Sequence, residues 1–346
     1  MKMEKVSGFL AAATALIMVA YAGNGLRRPN DVPLPGVQEE AVASQPSSPV
    51  QTGTEEAPVP VTQPVETAPM PTEPDLTAVL EAAAEGMDGE CVFVYDTAAG
   101  RMLYCSTEKT DRLYPASITK LFTAWLALKH LTPDTVVTAG PEVHMVGNGS
   151  SLAYINPGNR LTVEMLVEAM LLPSGNDAAY VLAAAAGRVI AGEENLSAAA
   201  AVQRFVAEMN QEAGRLGMDN TNFTNPDGYH TGGHYSCPGD LALIGALAME
   251  TPVILKYTAL EADSVTYVSG EHITWYNTNR MVNKGTDQYC PDVVGLKTGY
   301  TGEAGFCILA AFVRGEQQIL VGIFGGEKNY TRYENAAALW QCCGTE

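Results

Sequence analysis

The run Tyr114-Pro115-Ala116-Ser117-Ile118-Thr119-Lys120 sets a hydroxyl three residues ahead of an amine, at the mouth of an apolar segment. Residues three apart on a helix share a face, and the first turn of a helix collects unpaired backbone N–H groups. A nucleophile, a base to activate it and donors for a developing oxyanion could therefore meet at one point. The plain alternative is a serine cap followed by a lysine whose stem lies along the core. Ser106 and Lys109 repeat the spacing, yet they sit in a polar stretch after a strand-like run and open no apolar helix, so that pair is read as a coincidence. Ser174-Gly175-Asn176 places short polar side chains in a tight turn, where they could border a cleft or simply make the turn. Lys297-Thr298-Gly299 puts a cation and a hydroxyl at a strand end, with Gly299 letting a ligand approach the backbone. These groups could grip a substrate carboxylate, or the lysine could only keep an edge strand from pairing. His230 and His234 have a metal-like spacing, but Gly232 and Gly233 between them argue against a helix. No third ligand is close in sequence, so no metal site is expected.

The elements that must hold these groups are legible in the apolar periodicity. Ile118, Leu121, Phe122, Trp125, Leu126 and Leu128 recur at helical spacing after Pro115, predicting a core helix over about 116–130. Residues 161–187 read as two helices broken at Pro173-Ser174-Gly175, and 197–217 as another ending at Gly217. An amphipathic helix near 76–86 precedes a hairpin over 91–105, and a further helix lies near 240–249. The remainder is strand-rich and closes with a helix. Strands at both ends with helices between predict an α+β fold: one antiparallel sheet completed by the two ends, flanked by helices, with a mainly helical subdomain.

The 346 residues carry a net charge of −19 with no basic run, which argues against a nucleic-acid partner. Lys2 and Lys5 precede an apolar run, the layout of an export signal or an N-terminal membrane anchor over residues 1–28. Ala20-Tyr21-Ala22 before Gly23 suits cleavage, while the length of the run and the proline-rich stretch after it favour a retained anchor. Residues 29–75 hold eleven of the 20 prolines and no Lys or Arg, and read as a disordered acidic stalk lifting a catalytic domain at 76–346 off a membrane. The expected location is therefore outside the cytoplasm, either anchored to the cell membrane or secreted into the wall space. Seven scattered cysteines fit neither a zinc pattern nor a disulfide scaffold. Symmetric pairing of the 91–105 hairpin would set Cys91 opposite Cys105, within reach of a disulfide.

Ser-x-x-Lys, Ser-x-Asn and Lys-Thr-Gly in that order form the trio of penicillin-binding proteins and class A β-lactamases. With "YPASITKLFTAWLAL", "LTVEMLVEAMLLPSGNDAAYVLA", "LGMDNTNFTNPDGYH", "GHYSCPGDLALIGALAM" and "GLKTGYTGEAGFC", the chain resembles the serine D-alanyl-D-alanine carboxypeptidases of low molecular weight over about 76–343. The resemblance implies a β-lactamase/transpeptidase-like fold and removal of the terminal D-alanine from peptidoglycan stem peptides, with β-lactams as inhibitors, no cofactor and a monomeric enzyme. It implies that Ser117 is acylated and Lys120 takes its proton, helped toward the neutral form by burial and by Lys297. Ser174 would relay a proton to the departing D-alanine, and Asn176 would hold the peptide amide and Lys120. Lys297 and Thr298 would bind the carboxylate beside Gly299, and the N–H groups of Ser117 and Tyr300 would form the oxyanion hole. His234-Tyr235-Ser236 fits a family loop bordering the cleft. Many relatives carry a C-terminal β-domain with a membrane helix, which this chain lacks, so attachment is expected from the N-terminus.

Three rivals are weighed. A class A β-lactamase would need a deacylating Glu-x-x-x-Asn, and none of Glu193, Glu194, Glu208 or Glu212 has an asparagine four residues later. A D,D-endopeptidase would use the same residues on cross-linked peptide. A non-catalytic β-lactam sensor or wall-binding module would keep the fold, but should show several spanning segments or a signalling domain.

Overall fold

The computed structural model describes residues 75–344. The expected signal or anchor, and the stalk up to residue 74, lie outside the described residues. Asp75 caps α1 (Leu76–Ala84) through Thr77 N–H and leads to the hairpin of β1 (Cys91–Asp96) and β2 (Arg101–Cys105). A 3₁₀ turn at Ala116–Ile118 runs into α2 (Thr119–His130). The short pair β3 (Val136–Thr138) and β4 (Arg160–Thr162) precedes α3 (Val163–Leu171), capped by Thr162. Then come α4 (Asn176–Ala191), α5 (Ala198–Arg215), α6 (Pro238–Met249) and α7 (Pro252–Thr258), the last two opened by prolines. The hairpin of β5 (Ala262–Thr266) and β6 (His272–Tyr276) is succeeded by β7 (Val293–Thr301), β8 (Gly305–Arg314), β9 (Gln317–Gly326) and α8 (Thr331–Cys343).

The main sheet is antiparallel in the order β2-β1-β9-β8-β7, so the N-terminal hairpin and the C-terminal strands do complete one sheet, as the sequence predicts. Its middle strands are buried on both faces, and their alternation sorts two cores. Ile308, Ala310 and Phe312 of β8 and Ile319, Val321 and Ile323 of β9 face α1 and α8. Leu309, Ala311, Leu320 and Phe324 face α6 and the 3₁₀ turn that precedes α2. Phe93 stacks on Phe324 at 6.0 Å over Gly322, where a Cβ would lie 2.2 Å from the Phe93 ring.

One expectation is corrected at the hairpin. The register shifts between Val94 and Tyr95, so Cys105 pairs with Phe93 rather than Cys91, yet the two thiols remain neighbours, with the Thr107 hydroxyl 3.5 Å from the Cys91 Sγ and 3.8 Å from that of Cys105. Both thiols are free. The extra residue of a bulge breaks the symmetric backbone pairing, while the two side chains stay within reach of each other. The hairpins β3–β4 and β5–β6 and helix α7 are not anticipated by the periodicity, because each is short and leans on the helical subdomain.

Among the described residues no single helix is long and apolar enough to cross a membrane. Inside the helical subdomain α4 approaches α5 so closely that a Cβ at Gly187 would lie 1.9 Å from the Ala201 carbonyl oxygen. Backbone cannot yield as a side chain does, so Gly187→Ala is expected to destabilise the protein by about 1–3 kcal/mol or more, read as a lower urea midpoint.

Candidate active site

Ser117 sits on the 3₁₀ turn, and its neighbours force it there. Ala116 is held at φ +46°, a left-handed conformation that costs a non-glycine residue about 1–3 kcal/mol. Two glycines close around it: a Cβ at Gly228 would lie 1.8 Å from the Ala116 carbonyl oxygen, and one at Gly299 would lie 2.9 Å from the Ala116 Cβ and 3.1 Å from the Ser117 nitrogen. Only glycine lets the loop before Tyr229 and strand β7 approach the turn from opposite sides. Lys120, one turn on, is fully buried, and its Nζ donates to Ser117 Oγ at 2.7 Å and to the Asp227 carbonyl at 2.7 Å. Burial lowers its pKa to about 8, against the opposing pull of Asp227 and then Asp177. Of the two expected causes of a neutral amine, burial acts as expected and Lys297 does not contribute. The coupling of the two lysines falls on Lys297, whose pKa burial, Lys120 and Arg332 hold well below its ordinary range.

Ser174 and Asn176 stand across the cleft, in the break between α3 and α4. Ser174 is also left-handed, at φ +63°, because Gly175 packs where its Cβ would meet Ala153 and the Ala169 carbonyl at 2.7 Å. The next residue, Asp177, fastens this corner by accepting the N–H groups of Ala153 (2.8 Å), Ile155 (2.9 Å) and Ala178 (3.0 Å). Asn176 donates its side-chain amide to Ser150 Oγ at 2.8 Å rather than reaching Lys120, which corrects the second half of its expected role.

Along β7, Thr298, Gly299 and Tyr300 line the cleft, a cavity of about 670 Å³, together with Ser117, Ser174 and Asn176. Lys297 does not line it. Its buried Nζ donates to the Thr298 carbonyl (3.1 Å) and to Thr278 Oγ1 (3.3 Å), and Thr278 and Thr298 share a hydroxyl hydrogen bond of 2.7 Å. The cation on the cleft wall is instead Arg332 at the start of α8, 6% exposed. Its guanidinium donates to the carbonyls of Gly299 (3.0 Å) and Cys307 (2.9 Å), leaves Nε without a partner, and lies over Phe306. Arg332, Thr278 and Asp227 escape a reading by motif: none has a telling spacing to a catalytic partner, and Arg332 comes to the site only when α8 packs on the sheet.

The coincidental pair behaves as expected: Ser106 Oγ accepts the Val92 N–H at 2.9 Å and neither residue borders the cleft. Glu208 and Glu212 are tied to Arg204, Arg215 and Lys129, away from it. His230 lines the cleft edge-on to Tyr114, while His234 is buried behind the nucleophile helix. Among the described residues no cluster of three or more His, Cys, Asp or Glu side chains could hold a metal ion.

The fold with its serine–lysine turn facing a Ser-x-Asn corner and a Lys-Thr-Gly strand defines an active-site-serine protein of the penicillin-binding, β-lactamase-like class. A DD-transpeptidase of Streptomyces has the same architecture: TM-score 0.66 and 28% identity, covering 74% of this chain and 97% of that one. So has a penicillin-binding protein of Listeria monocytogenes in its ampicillin-bound form, with TM-score 0.60 and 26% identity over 75% of this chain and 98% of the other. Within that class, the profile of the D-alanyl-D-alanine carboxypeptidases matches residues 78–328, and the chain belongs to that family. The D-alanyl-D-alanine carboxypeptidase DacF of Bacillus subtilis is 31% identical over 229 residues, 65% of this chain. A Streptomyces D-alanyl-D-alanine carboxypeptidase is 33% identical over 253 residues, 70% of this chain. The match spans 54% of the Bacillus protein's length and 82% of the Streptomyces one.

His234 supplies a test of how the cleft wall is built. Thr224 N–H donates to its Nδ1 at 3.2 Å, so Nε2 carries the proton and donates to Thr119 Oγ1 at 2.9 Å. Burial, reinforced by His230 and Lys120, lowers its pKa to about 4. The unfolded chain takes up this proton near pH 6.5, so the stability His234 gives is complete above that value and is lost as pH falls toward 4. Denaturant titrations at pH 7 and pH 4 should show a loss larger by about 3 kcal/mol in the native protein than in His234→Gln. Equal losses would mean that the ring is not held neutral.

Proposed function

We propose that this protein is a serine D,D-carboxypeptidase that removes the terminal D-alanine from peptidoglycan stem peptides. The observation that carries the reading is the 2.7 Å contact between the buried Lys120 amine and Ser117 Oγ at the floor of an open cleft. Neutral Lys120 takes the Ser117 proton as Oγ attacks the carbonyl of the penultimate residue. The N–H groups of Ser117 and Tyr300 receive the oxyanion. As the acyl-enzyme forms, the peptide C–N bond breaks and the departing amine takes a proton through Ser174. Water then releases the shortened peptide. The terminal carboxylate docks on Thr298, Thr278 and Arg332, while Lys297 acts from behind by donating to the Thr278 hydroxyl, which shares a hydrogen bond with that of Thr298. The same acylation by a β-lactam leaves a long-lived adduct.

The chain acts outside the cytoplasm, held to the membrane by the segment within residues 1–28. Expression of the full-length chain that yields a soluble mature protein starting at Gly23 would replace that part of the reading with a cleaved signal.

Intact-mass analysis after incubation with penicillin should show one adduct, on Ser117, absent in Ser117→Ala and unaffected in Ser106→Ala. With a pentapeptide ending in D-Ala-D-Ala, one D-alanine should be released. An adduct elsewhere, or none on folded protein, overturns the assignment, and cleavage of only cross-linked dimers would make the enzyme an endopeptidase. Lys120→Ala should slow acylation by about 10²- to 10⁴-fold. The acylation rate of the native enzyme should fall as pH drops below about 8, where Lys120 becomes protonated. Arg332→Gln should lower kcat/KM for the peptide by about 1.5–3 kcal/mol, roughly ten- to a hundredfold, through the lost carboxylate contact.

A further inference from the structure

The loop Asn225–Tyr229 is fastened to the nucleophile helix more firmly than a cleft wall requires. Thr123 Oγ1 donates to the Pro226 carbonyl at 2.7 Å, and Lys120 donates to the Asp227 carbonyl at 2.7 Å. Asn225 bridges the loop internally, accepting the Gly228 N–H and donating to the Tyr229 carbonyl, each at 2.8 Å. This clamping delivers the Asp227 side chain, 1% exposed, to the cleft wall beside Ser117. Its Oδ1 accepts one N–H, that of Tyr229 at 3.1 Å, and its Oδ2 is buried with no hydrogen-bond partner among the described residues. A buried carboxylate with one oxygen unserved carries a desolvation penalty that nothing in its own loop repays.

Asp177, the other carboxylate acting on Lys120, is different. Three backbone N–H groups already meet its charge, so less of its field is left for the amine. The remaining groups around the pair bear positive charge or none. Lys297 stands on β7 with Arg332 of α8 beyond it, His234 lies on the same loop segment as Asp227 with His230 beside it, and the phenol of Tyr180 on α4 faces Asp227. Asp227 is thus the one carboxylate near the amine whose charge is not met locally.

We propose that Asp227 is a positioning residue for the catalytic base: its carboxylate holds the proton on Lys120 and so sets the pH at which Ser117 becomes reactive. Burial lowers the proton affinity of the amine, and Asp227 keeps it from falling too far. A base whose affinity fell further would be neutral at all working pH values but weaker in the transition state, since base efficiency tracks proton affinity. The carboxylate's own proton balance is consistent with this, being raised by burial and pulled back by Lys120.

The inference rests on the proposed acylation of Ser117 and is tested on the full chain by the second-order rate of acylation by penicillin from pH 5.5 to 10. Asp227→Asn keeps an oxygen for the Tyr229 N–H and removes only the charge. The midpoint of its acid limb should move down by at least half a pH unit, about a threefold fall in the proton affinity of Lys120, and its alkaline plateau should be lower. Asp134→Asn, an exposed carboxylate far from the cleft, should leave both unchanged. Should Asp227→Asn not fold, Asp227→Ser offers a smaller neutral acceptor and the same shift is expected. A native enzyme that acylates, with an acid limb unmoved or moved upward in the neutral variant, would make Asp227 only a bracket for its loop. A native enzyme that never acylates would overturn this inference together with the proposed function.

Discussion

Everything in the cleft depends on an amine kept out of water. Lys120 has no solvent contact, and lowering its pKa from 10.5 to about 8 corresponds to about 3 kcal/mol set against the charged form. For a lysine this sign means that the fold carries the penalty at neutral pH and is relieved of it as pH rises from about 8 to about 10.5. The protein offsets part of the penalty with the Asp227 carbonyl, the Ser117 hydroxyl and the carboxylates of Asp227 and Asp177, inside a core packed by Phe122, Trp125 and Phe223. A charge buried on a mobile element would draw water in. Hence the rest of the site is built to be stiff.

That stiffness is local and visible. Ala116 and Ser174, one beside the nucleophile and one at its opposite bank, are both left-handed without being glycine. Each is held there by a glycine whose missing Cβ lets backbone press in, Gly228 and Gly299 in one case and Gly175 in the other. Strain of this kind persists only where packing over-determines it. The two cores on either side of the sheet supply that packing, and Asp177 ties the second corner to the 153–155 segment with a single side chain.

The fold class could be read from the chain because its signals are extended: helical spacing through residues 116–130 and 197–217, and continuous apolar runs between Gly-containing turns at β8 and β9. What short-range pattern could not show was register. One bulge at Val94/Tyr95 undid the symmetric hairpin register, though Cys91 and Cys105 still lie side by side. In the site, Ser117, Lys120, Ser174, Asn176, Thr298, Gly299 and Tyr300 do converge on one cleft or its floor, because each belongs to a motif whose residues are neighbours in sequence. Lys297 belongs to such a motif as well, yet its ammonium turns inward, since strand alternation fixes a face and not the path of a long side chain. Asp227 contributes a carbonyl, which no sequence pattern advertises. Arg332 comes from a helix that the motifs do not mention.

The pairing of Cys91 with Phe324 has a bearing on when the cleft is completed. β1 finds its inner neighbour only in β9, and the strand that borders the cleft, β7, joins the sheet through β8. Contacts so distant along the chain are slow to form and come after local helices have collapsed. During synthesis the serine and its lysine can therefore share a helix long before the strand that completes the cleft exists. A nascent chain in that condition holds Ser117 and Lys120 side by side without a groove to receive a substrate, so the cleft is complete only after the last strands have been made.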